Sequence, residues 1–223
     1  MSKRTALIFV DPQEDFGNKL KGALYVPGGE QVVKELNALR SALASAGLSK
    51  DVYITQDWHP EAHKSFWTNN PGTKVFDNIK LADGSNQTMW PPHCIQGSKG
   101  AAFLDGLTVL SSDTIVPKGT VTGVDSYSGF ASNDGFSECT ELEAKLKAKG
   151  VTHVIVVGLA FEYCVAFTAL DAAKCGFEVC VMRSGTKGIS AADCAAQEKV
   201  MTDTKRITVV EDIVGALAFA AYA

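Results

Sequence analysis

Several common signatures are missing from this 223-residue chain. Its six cysteines include no Cys-x-x-Cys pair, which weighs against a thiol redox protein. Neither nucleotide-binding fingerprint is present, since no GxGxxG follows the first apolar run and no GxxxxGK[ST] occurs. No apolar run reaches the ~18 residues of a membrane span. The first apolar run meets Asp11 too soon for a signal peptide, so we expect a cytoplasmic protein without a membrane partner.

The chain also lacks a large excess of charge of either sign. The formal net charge is −4, which gives no reason to expect nucleic acid as a partner. The cysteines are scattered and are best interpreted as reduced thiols, as is usual in the cytosol. The sequence leaves open whether the chain forms a homo-oligomer.

What the chain does contain is a regular alternation of short apolar runs and amphipathic helices. We predict strands at 5–10, 52–55, 113–117, 153–157, 177–182 and 207–210. We predict helices at 30–46, 137–149, 162–174, 190–204 and 212–221. This order indicates the α/β class, a three-layer αβα arrangement with a roughly six-stranded, mostly parallel sheet. No repeat or linker interrupts it, so we expect one domain over residues 1–223.

The stretch 154–165 contains the candidate nucleophile, and the other candidate site residues are interpreted in relation to it. A β-branched run stops at Gly158 and a helical pattern starts near Glu162, which puts Cys164 in the first turn of a helix after a buried strand. Ligands of open α/β sheets bind at that edge. Free N–H groups at the start of a helix favour a thiolate, so Cys164 is a candidate nucleophile. A buried, inert cysteine is the alternative.

Two further strand ends carry residues that suit such a nucleophile. Asp11 follows the first strand and would serve as a general base, although aspartate is also common in turns. Lys118 follows the third strand and would stabilise the thiolate, although most lysines at such positions are solvated.

The second strand runs into a group of metal-ligating residue types. Asp57 and His59 are two residues apart and project on one face if the extended backbone persists. Carboxylate and imidazole ligands suit zinc, manganese or iron. His63 is a further candidate, and His93 lies at the end of the same long loop region. We expect His153 to be structural and Cys94 to pack rather than to bind a metal.

Aromatic residues lie beside these positions in the sequence and are candidates for the walls of a pocket for a flat substrate. They are Phe16, Trp90, Tyr127 and Tyr163.

The motifs together resemble the isochorismatase-like cysteine hydrolases, and among these the nicotinamidases (pyrazinamidases), over nearly the whole chain. The blocks that carry the resemblance are Val10-Asp11-Pro12-Gln13-Glu14-Asp15-Phe16, Asp57-Trp58-His59-Pro60, Trp90-Pro91-Pro92-His93-Cys94, Pro117-Lys118-Gly119, Val157-Gly158-Leu159-Ala160 and Tyr163-Cys164-Val165. The D-W-H-P and W-P-P-H-C blocks favour nicotinamidases over other members.

The resemblance implies a function and a set of roles. The reaction would be hydrolysis of nicotinamide, or of its analogue pyrazinamide, through a cysteine thioester in NAD salvage. It implies one divalent metal ion, with zinc favoured over iron or manganese, and a cis peptide between Leu159 and Ala160. The implied roles are a triad of Asp11, Lys118 and Cys164, an oxyanion hole at Ala160 and Cys164, a ring pocket of Phe16, Trp90, Tyr127 and Tyr163, and metal ligands Asp57, His59 and His93, with His63 as a further candidate.

Two alternatives remain open. A related amidohydrolase would act on an N-carbamoyl or ureido substrate, and a protein of another class would bind metal or exchange thiols without catalysis. One position departs from the family pattern: Glu14 stands where members commonly have asparagine. We expect its side chain to point to solvent.

Overall fold

The computed structural model describes residues 3–81 and 84–221 and contains two sheets in that part of the chain. The strands are β1 (Thr5–Val10), β2 (Val52–Asp57), β3 (Asn78–Lys80), β4 (Asn86–Thr88), β5 (Thr114–Lys118), β6 (His153–Leu159), β7 (Glu178–Lys187) and β8 (Ile207–Val210). Six of them form the main sheet in the order β5-β2-β1-β6-β7-β8, and every pairing in it is parallel. The predicted α/β fold class is confirmed.

The helices cover both faces of this sheet. They are α1 (Glu14–Gly17), α2 (Val32–Ser45), α3 (Leu142–Ala148), α4 (Ala166–Lys174), α5 (Ala191–Thr202) and α6 (Ile213–Ala221), with a π-helical turn at Phe161–Val165. Helices α2 and α6 bury leucines and alanines against one face. Helices α3, α4 and α5 pack on the other face in a second apolar core. Among the described helices, none is long and apolar enough to cross a bilayer.

The order of the strands reverses between β1 and β6. From β1 the chain moves outward through β2 to β5, and it then returns to place β6 on the other side of β1. In doubly wound sheets the crevice at this point is where ligands bind. The residues that follow β1 and β6, Asp11 and the turn containing Cys164, therefore flank that crevice.

Helix α3 is shorter at its start than the helix predicted at 137–149. Cys139 and Thr140 are held by pairing with another segment, because Cys139 forms an antiparallel bridge with Ala131 and Thr140 N–H donates to the carbonyl of Phe130. Backbone groups used across a bridge are not available to a helix.

Two further differences concern loops. The long loop region before His93, for which no strand was predicted, contains the antiparallel hairpin of β3 and β4. Residues shortly after Asp11 form the short helix α1, which was not predicted from the sequence, and Glu14 within it is buried. Its carboxylate accepts hydrogen bonds from Asn18 Nδ2 at 2.6 Å and from Asp105 N–H at 3.3 Å. The expectation that Glu14 points to solvent is therefore wrong.

Candidate active site and metal centre

Asp11 follows β1 directly and has a left-handed conformation, with φ of 45°. Such a backbone is strained for a residue with a side chain and needs support from its surroundings. Thr55 of β2 supplies it twice, since its hydroxyl donates to Asp11 Oδ1 at 2.6 Å and accepts from Asp11 N–H at 3.1 Å. These bonds turn the carboxylate into the crevice. Thr55 was not among the sequence candidates, although it precedes Asp57 by two residues on the same strand.

Lys118 lies fully buried between two carboxylates. Its Nζ is 3.0 Å from Asp11 Oδ2, contacts Asp57 Oδ1, and donates to the carbonyl of Ser126 at 2.8 Å. Cys164 Sγ is 3.5 Å from the same nitrogen. Burial disfavours the ammonium, but Asp11 and Asp57 outweigh it and hold the pKa of Lys118 well above its usual value. Lys118 is therefore a fixed positive charge beside the cysteine sulfur, not a solvated surface lysine.

Cys164 reaches the crevice because β6 passes unusually close to β1. At Gly158, with φ of 127°, a Cβ would lie 2.1 Å from the carbonyl oxygen of Val10, so only glycine fits. The peptide between Leu159 and Ala160 is cis, as the resemblance implied. In the π-helical turn that follows, the Ala160 carbonyl accepts from Tyr163 N–H and Val165 N–H, each at 3.1 Å. Among the described backbone bonds to that carbonyl, none comes from Cys164 N–H, which lies between them.

The thiol state of Cys164 differs from the sequence expectation. Burial raises the pKa of the Cys164 thiol well above its ordinary value, and Lys118 opposes this only in part. Burial also raises the pKa of Asp11 to about 6, with Lys118 again opposing. The resting form is therefore a thiol beside a weakly basic carboxylate, where a thiolate had been expected. Such a thiol needs a base before it can attack.

Asp57, His59 and His93 bring one ligand atom each within 4.8 Å of one another. Both imidazoles direct Nε2 at Asp57 Oδ2, at 3.5 Å for His59 and 3.8 Å for His93. Their Nδ1 atoms are held by backbone carbonyls at 2.8 Å, those of Gly119 and Pro91. A carbonyl on Nδ1 fixes the tautomer that leaves Nε2 free to bind a metal.

The protonation states of His93 and Asp57 also suit a cation. Burial, reinforced by His59, lowers the pKa of His93 to about 4, so its ring is neutral near pH 7. Burial disfavours the charged form of Asp57, but Lys118 and His59 hold the pKa of this carboxyl well below its usual range. One carboxylate and two buried imidazoles match the donors that divalent zinc, iron or manganese prefer. The residues present therefore fit a divalent metal.

His63 is placed differently. Its ring stacks on that of His59, with centroids 4.2 Å apart, and both of its nitrogens are in hydrogen bonds, to Ser65 Oγ at 2.8 Å and to the Val124 carbonyl at 3.1 Å. It lies within 4.8 Å of His59 and Asp125 but outside the group formed by Asp57, His59 and His93. In this arrangement the His63 ring packs against the face of the His59 ring.

The predicted aromatic residues line one pocket with the candidate nucleophile. Trp90 packs edge-on to Tyr163, and its Nε1 donates to Tyr127 Oη at 3.1 Å. The cavity of about 30 Å³ is lined by Phe16, Leu24, Val26, Asp57, Trp90, His93, Asp125, Tyr127, Ala160, Tyr163, Cys164 and Ile189. An apolar cavity with few polar groups at one end suits a small flat molecule.

Sequence reasoning missed four of these lining residues. Leu24, Val26, Asp125 and Ile189 belong to loops without periodicity, and no motif distinguishes them. It also missed Gln13, whose side chain donates to the Asp57 carbonyl and accepts from Asp57 N–H, each at 2.8 Å. The only signal for Gln13 was its place in the first motif.

His153 and Cys94 lie where they were expected. His153 begins β6 at the opposite edge of the sheet, and its Nδ1 lies 2.8 Å from Thr152 Oγ1. Cys94 is buried in an apolar core, and burial raises the pKa of its thiol well above the usual value. It packs, and its N–H donates to Asp15 Oδ2 at 2.7 Å.

The family model for the isochorismatase domain matches residues 5–213, and the chain belongs to this family. It is similar to a nicotinamidase of Acinetobacter baylyi, with 36% identity over 91% of this chain and 92% of the relative. It is also similar to a nicotinamidase of Escherichia coli, with 40% identity over 83% of this chain and 84% of the relative.

Solved structures agree. A nicotinamidase/pyrazinamidase of Acinetobacter baumannii superposes with a TM-score of 0.86 at 35% identity, covering 97% of this chain and 99% of that one. A pyrazinamidase of Pyrococcus horikoshii in complex with zinc superposes with a TM-score of 0.75 at 34% identity, covering 93% of this chain and 99% of that one. A protein of L. infantum in complex with nicotinate superposes with a TM-score of 0.79 at 34% identity, covering 95% of this chain and 94% of that one.

Proposed function

We infer that this protein is a nicotinamidase, a metal-dependent cysteine amidohydrolase that converts nicotinamide and water to nicotinate and ammonia and so serves NAD salvage. One observation carries the inference: the candidate triad and the candidate metal ligands meet at one apolar pocket, where Asp57 contacts both Lys118 and the two histidines. Relatives called nicotinamidases at 36% and 40% identity support the substrate.

The first half of the reaction forms a thioester. Asp11 accepts the Cys164 proton, and Lys118 stabilises the thiolate that results. The sulfur attacks the carboxamide carbon, and the negative charge moves to the amide oxygen. Backbone N–H groups of Ala160 and Cys164 would hold this oxyanion, in keeping with the π-helical turn that leaves the Cys164 N–H unused by the Ala160 carbonyl. The C–N bond then breaks, and Asp11 returns its proton to the departing ammonia.

The second half restores the enzyme. A water molecule replaces ammonia, Asp11 takes its proton, and the oxygen attacks the thioester carbon. The C–S bond breaks, nicotinate leaves, and the Cys164 thiol re-forms with the proton held by Asp11. A carboxyl whose pKa is about 6 suits both directions of this transfer, because it is neither a strong acid nor a strong base near neutral pH.

Asp57, His59 and His93 would hold the metal ion, and zinc is our assignment because of the zinc-bound relative. A bound metal supplies a ligand position for the pyridine nitrogen, directly or through water, and so orients the ring. Phe16, Trp90, Tyr127 and Tyr163 form the apolar walls beside it. Pyrazinamide, with a ring nitrogen at the corresponding position, would be accepted as an analogue.

The decisive test is the formation of nicotinate and ammonia from nicotinamide by the purified protein, before and after chelation. We expect both products in equal amounts and a loss of turnover on chelation that added zinc reverses. Folded, zinc-loaded protein that forms no nicotinate would refute the proposed substrate. Hydrolysis of an N-carbamoyl or ureido compound in the same assay would support the alternative.

A further inference from the structure

Ile189 lies between two cavities of very different size. On one side is the candidate substrate pocket of about 30 Å³. On the other is an open groove of about 980 Å³ between α2, β7 and α5, whose lining includes Lys34, Glu35 and Arg183. Ile189 lines both, and its side chain is partly exposed. Ile189 therefore belongs to the wall between the apolar candidate pocket and the wide polar groove.

The backbone of this wall is fixed by the turn that carries the nucleophile. Glu162 is buried, and its Oε1 accepts hydrogen bonds from Ile189 N–H at 2.7 Å and from Ser190 N–H at 2.8 Å. Ser190 is the N-cap of α5, and its hydroxyl accepts from Asp193 N–H. Glu162 thus does for α5 what the glutamate of a capping box does for its own helix, but from another element. It ties Ile189 to a residue only two positions from Cys164.

Gly188, the residue before Ile189, is closely packed against its neighbours. A Cβ at Gly188 would lie 2.2 Å from Cys194 Sγ and 2.6 Å from Glu162 Oε2, both of buried side chains. The segment therefore passes directly against Glu162 and Cys194. Such packing keeps Ile189 in place over the pocket, since a closely packed interior does not deform continuously.

We propose that Ile189 is a specificity-determining residue that restricts the enzyme to small, unsubstituted aromatic amides, and that Glu162 is the positioning residue that holds it. The proposal rests on the proposed function for the identity of the substrate. Shortening the side chain at 189 would connect the pocket to the groove. A ring substituent that now meets the wall would then extend into a space lined by polar side chains.

The first test compares nicotinamide with its 4-, 5- and 6-methyl derivatives in wild type and Ile189→Ala. We expect the kcat/KM ratio of at least one methyl derivative to nicotinamide to rise about tenfold, a typical effect of one methyl group on a pocket. The matched control is Val200→Ala, which shortens an exposed apolar side chain of α5 outside both cavities. An unchanged ratio for all three derivatives would overturn the proposal.

The second test does not depend on the substrate assignment. Alkylation of Cys164 by iodoacetamide and by the bulkier N-phenyl iodoacetamide is followed by mass spectrometry of the peptide that contains it. The ratio of the two rates cancels any change in thiol acidity. We expect Ile189→Ala to raise the relative rate of the bulky reagent at least about fivefold, within the range of such pocket effects, and Val200→Ala to leave it unchanged. If wild type failed to hydrolyse nicotinamide, the proposed function would fall, and this ratio would still decide the role of the wall.

The part played by Glu162 is tested by rescue. Glu162→Ala removes the acceptor of both N–H groups and should raise the bulky-reagent ratio as Ile189→Ala does. Glu162→Gln keeps a carbonyl oxygen at that position and should restore the wild-type ratio. A loss of stability in both variants without any change in the ratio would show that Glu162 is structural only and would remove it from the proposal.

Discussion

The two edges of the main sheet carry ion clusters of opposite composition. At the amino-terminal edge, Asp51 pairs with two cations, Arg4 at 2.9 Å and Lys149 at 2.8 Å, and all three are partly exposed. At the carboxyl-terminal edge, Lys118 pairs with two carboxylates, Asp11 and Asp57, and all three are buried. Both clusters combine carboxylates with cations, but the first is partly exposed to water and the second is buried.

The titration of the two clusters shows what burial adds. Burial acts against the charge of Asp51 as well, yet Lys149 and Arg4 lower the pKa of this carboxyl. At the buried edge one ammonium must serve two carboxylates, and the pKa of Asp57 falls while that of Asp11 rises to about 6. The pKa values of two interacting carboxyl groups in a low-dielectric site move apart in this way. The buried edge thereby gains a candidate base, and the exposed edge has only surface ion pairs.

The largest expected effect is on chemistry at the buried edge. Cys164→Ala should lower kcat for nicotinamide by at least ~10⁴-fold, as loss of a nucleophile does in other hydrolases. The measurement is nicotinate formation, with thermal unfolding as the check on folding. Cys175→Ala, a half-buried cysteine at the end of α4, is the control and should retain activity. A kcat of Cys164→Ala close to that of the control would refute the assignment of Cys164 as the nucleophile.

The second prediction contrasts the lysines of the two clusters. Lys118→Met leaves buried carboxylates without their cation and should lower the free energy of unfolding by about 3–5 kcal/mol. Lys149→Met removes an exposed ion pair and should cost about 0.2–1 kcal/mol. Urea denaturation of both variants gives the two values. Equal losses would mean that burial does not distinguish the clusters.

The histidines provide a third contrast. His93→Ala should reduce the affinity for zinc by more than about tenfold, since even residues that only orient a ligand have effects of 10–100-fold. It should also raise KM for nicotinamide. His153→Ala, at the other edge, should change neither quantity. Elemental analysis after dialysis measures the metal, and full zinc content in His93→Ala would remove this residue from the ligand set.

The smallest effect is the response to acid. Asp11 must be a carboxylate to accept the thiol proton, and its pKa is about 6. Protonation therefore removes the base as the pH falls, and kcat/KM should drop about tenfold per unit well below pH 6. Asp51→Asn should leave the profile unchanged. A flat profile between pH 4.5 and 7 would show that Asp11 does not act as the base.

Much of the framework could be predicted from the sequence because the signal was local. Each apolar run is a strand, and in a parallel sheet successive strand ends meet at one edge. That reasoning placed Asp11, Lys118 and Cys164 together, and the structure brings Lys118 Nζ to within 3.0 Å of Asp11 and 3.5 Å of Cys164. The cis peptide between Leu159 and Ala160 came from the resemblance alone, whereas the spacing of Asp57 and His59 had already indicated a metal site.

The remainder depends on contacts between distant segments. The burial of Glu14 follows from its bond to Asp105, and the early residues of the predicted helix at 137–149 are held by pairing with 130–132. The resting thiol of Cys164 is another case, because the helix start favours a thiolate and only the depth of the site reverses this. Local pattern carries no information on any of these.

The insertion of β6 beside β1 has a consequence for the making of the protein. Thr5 pairs with His153, so one edge of β1 waits for a partner translated roughly 150 residues later, which at about 5–20 residues per second takes on the order of ten to thirty seconds. Until then an apolar strand edge is open to other nascent chains. The same delay separates Asp11, the candidate base, from Cys164, the candidate nucleophile, so we expect no turnover from a ribosome-bound chain until Cys164 has emerged.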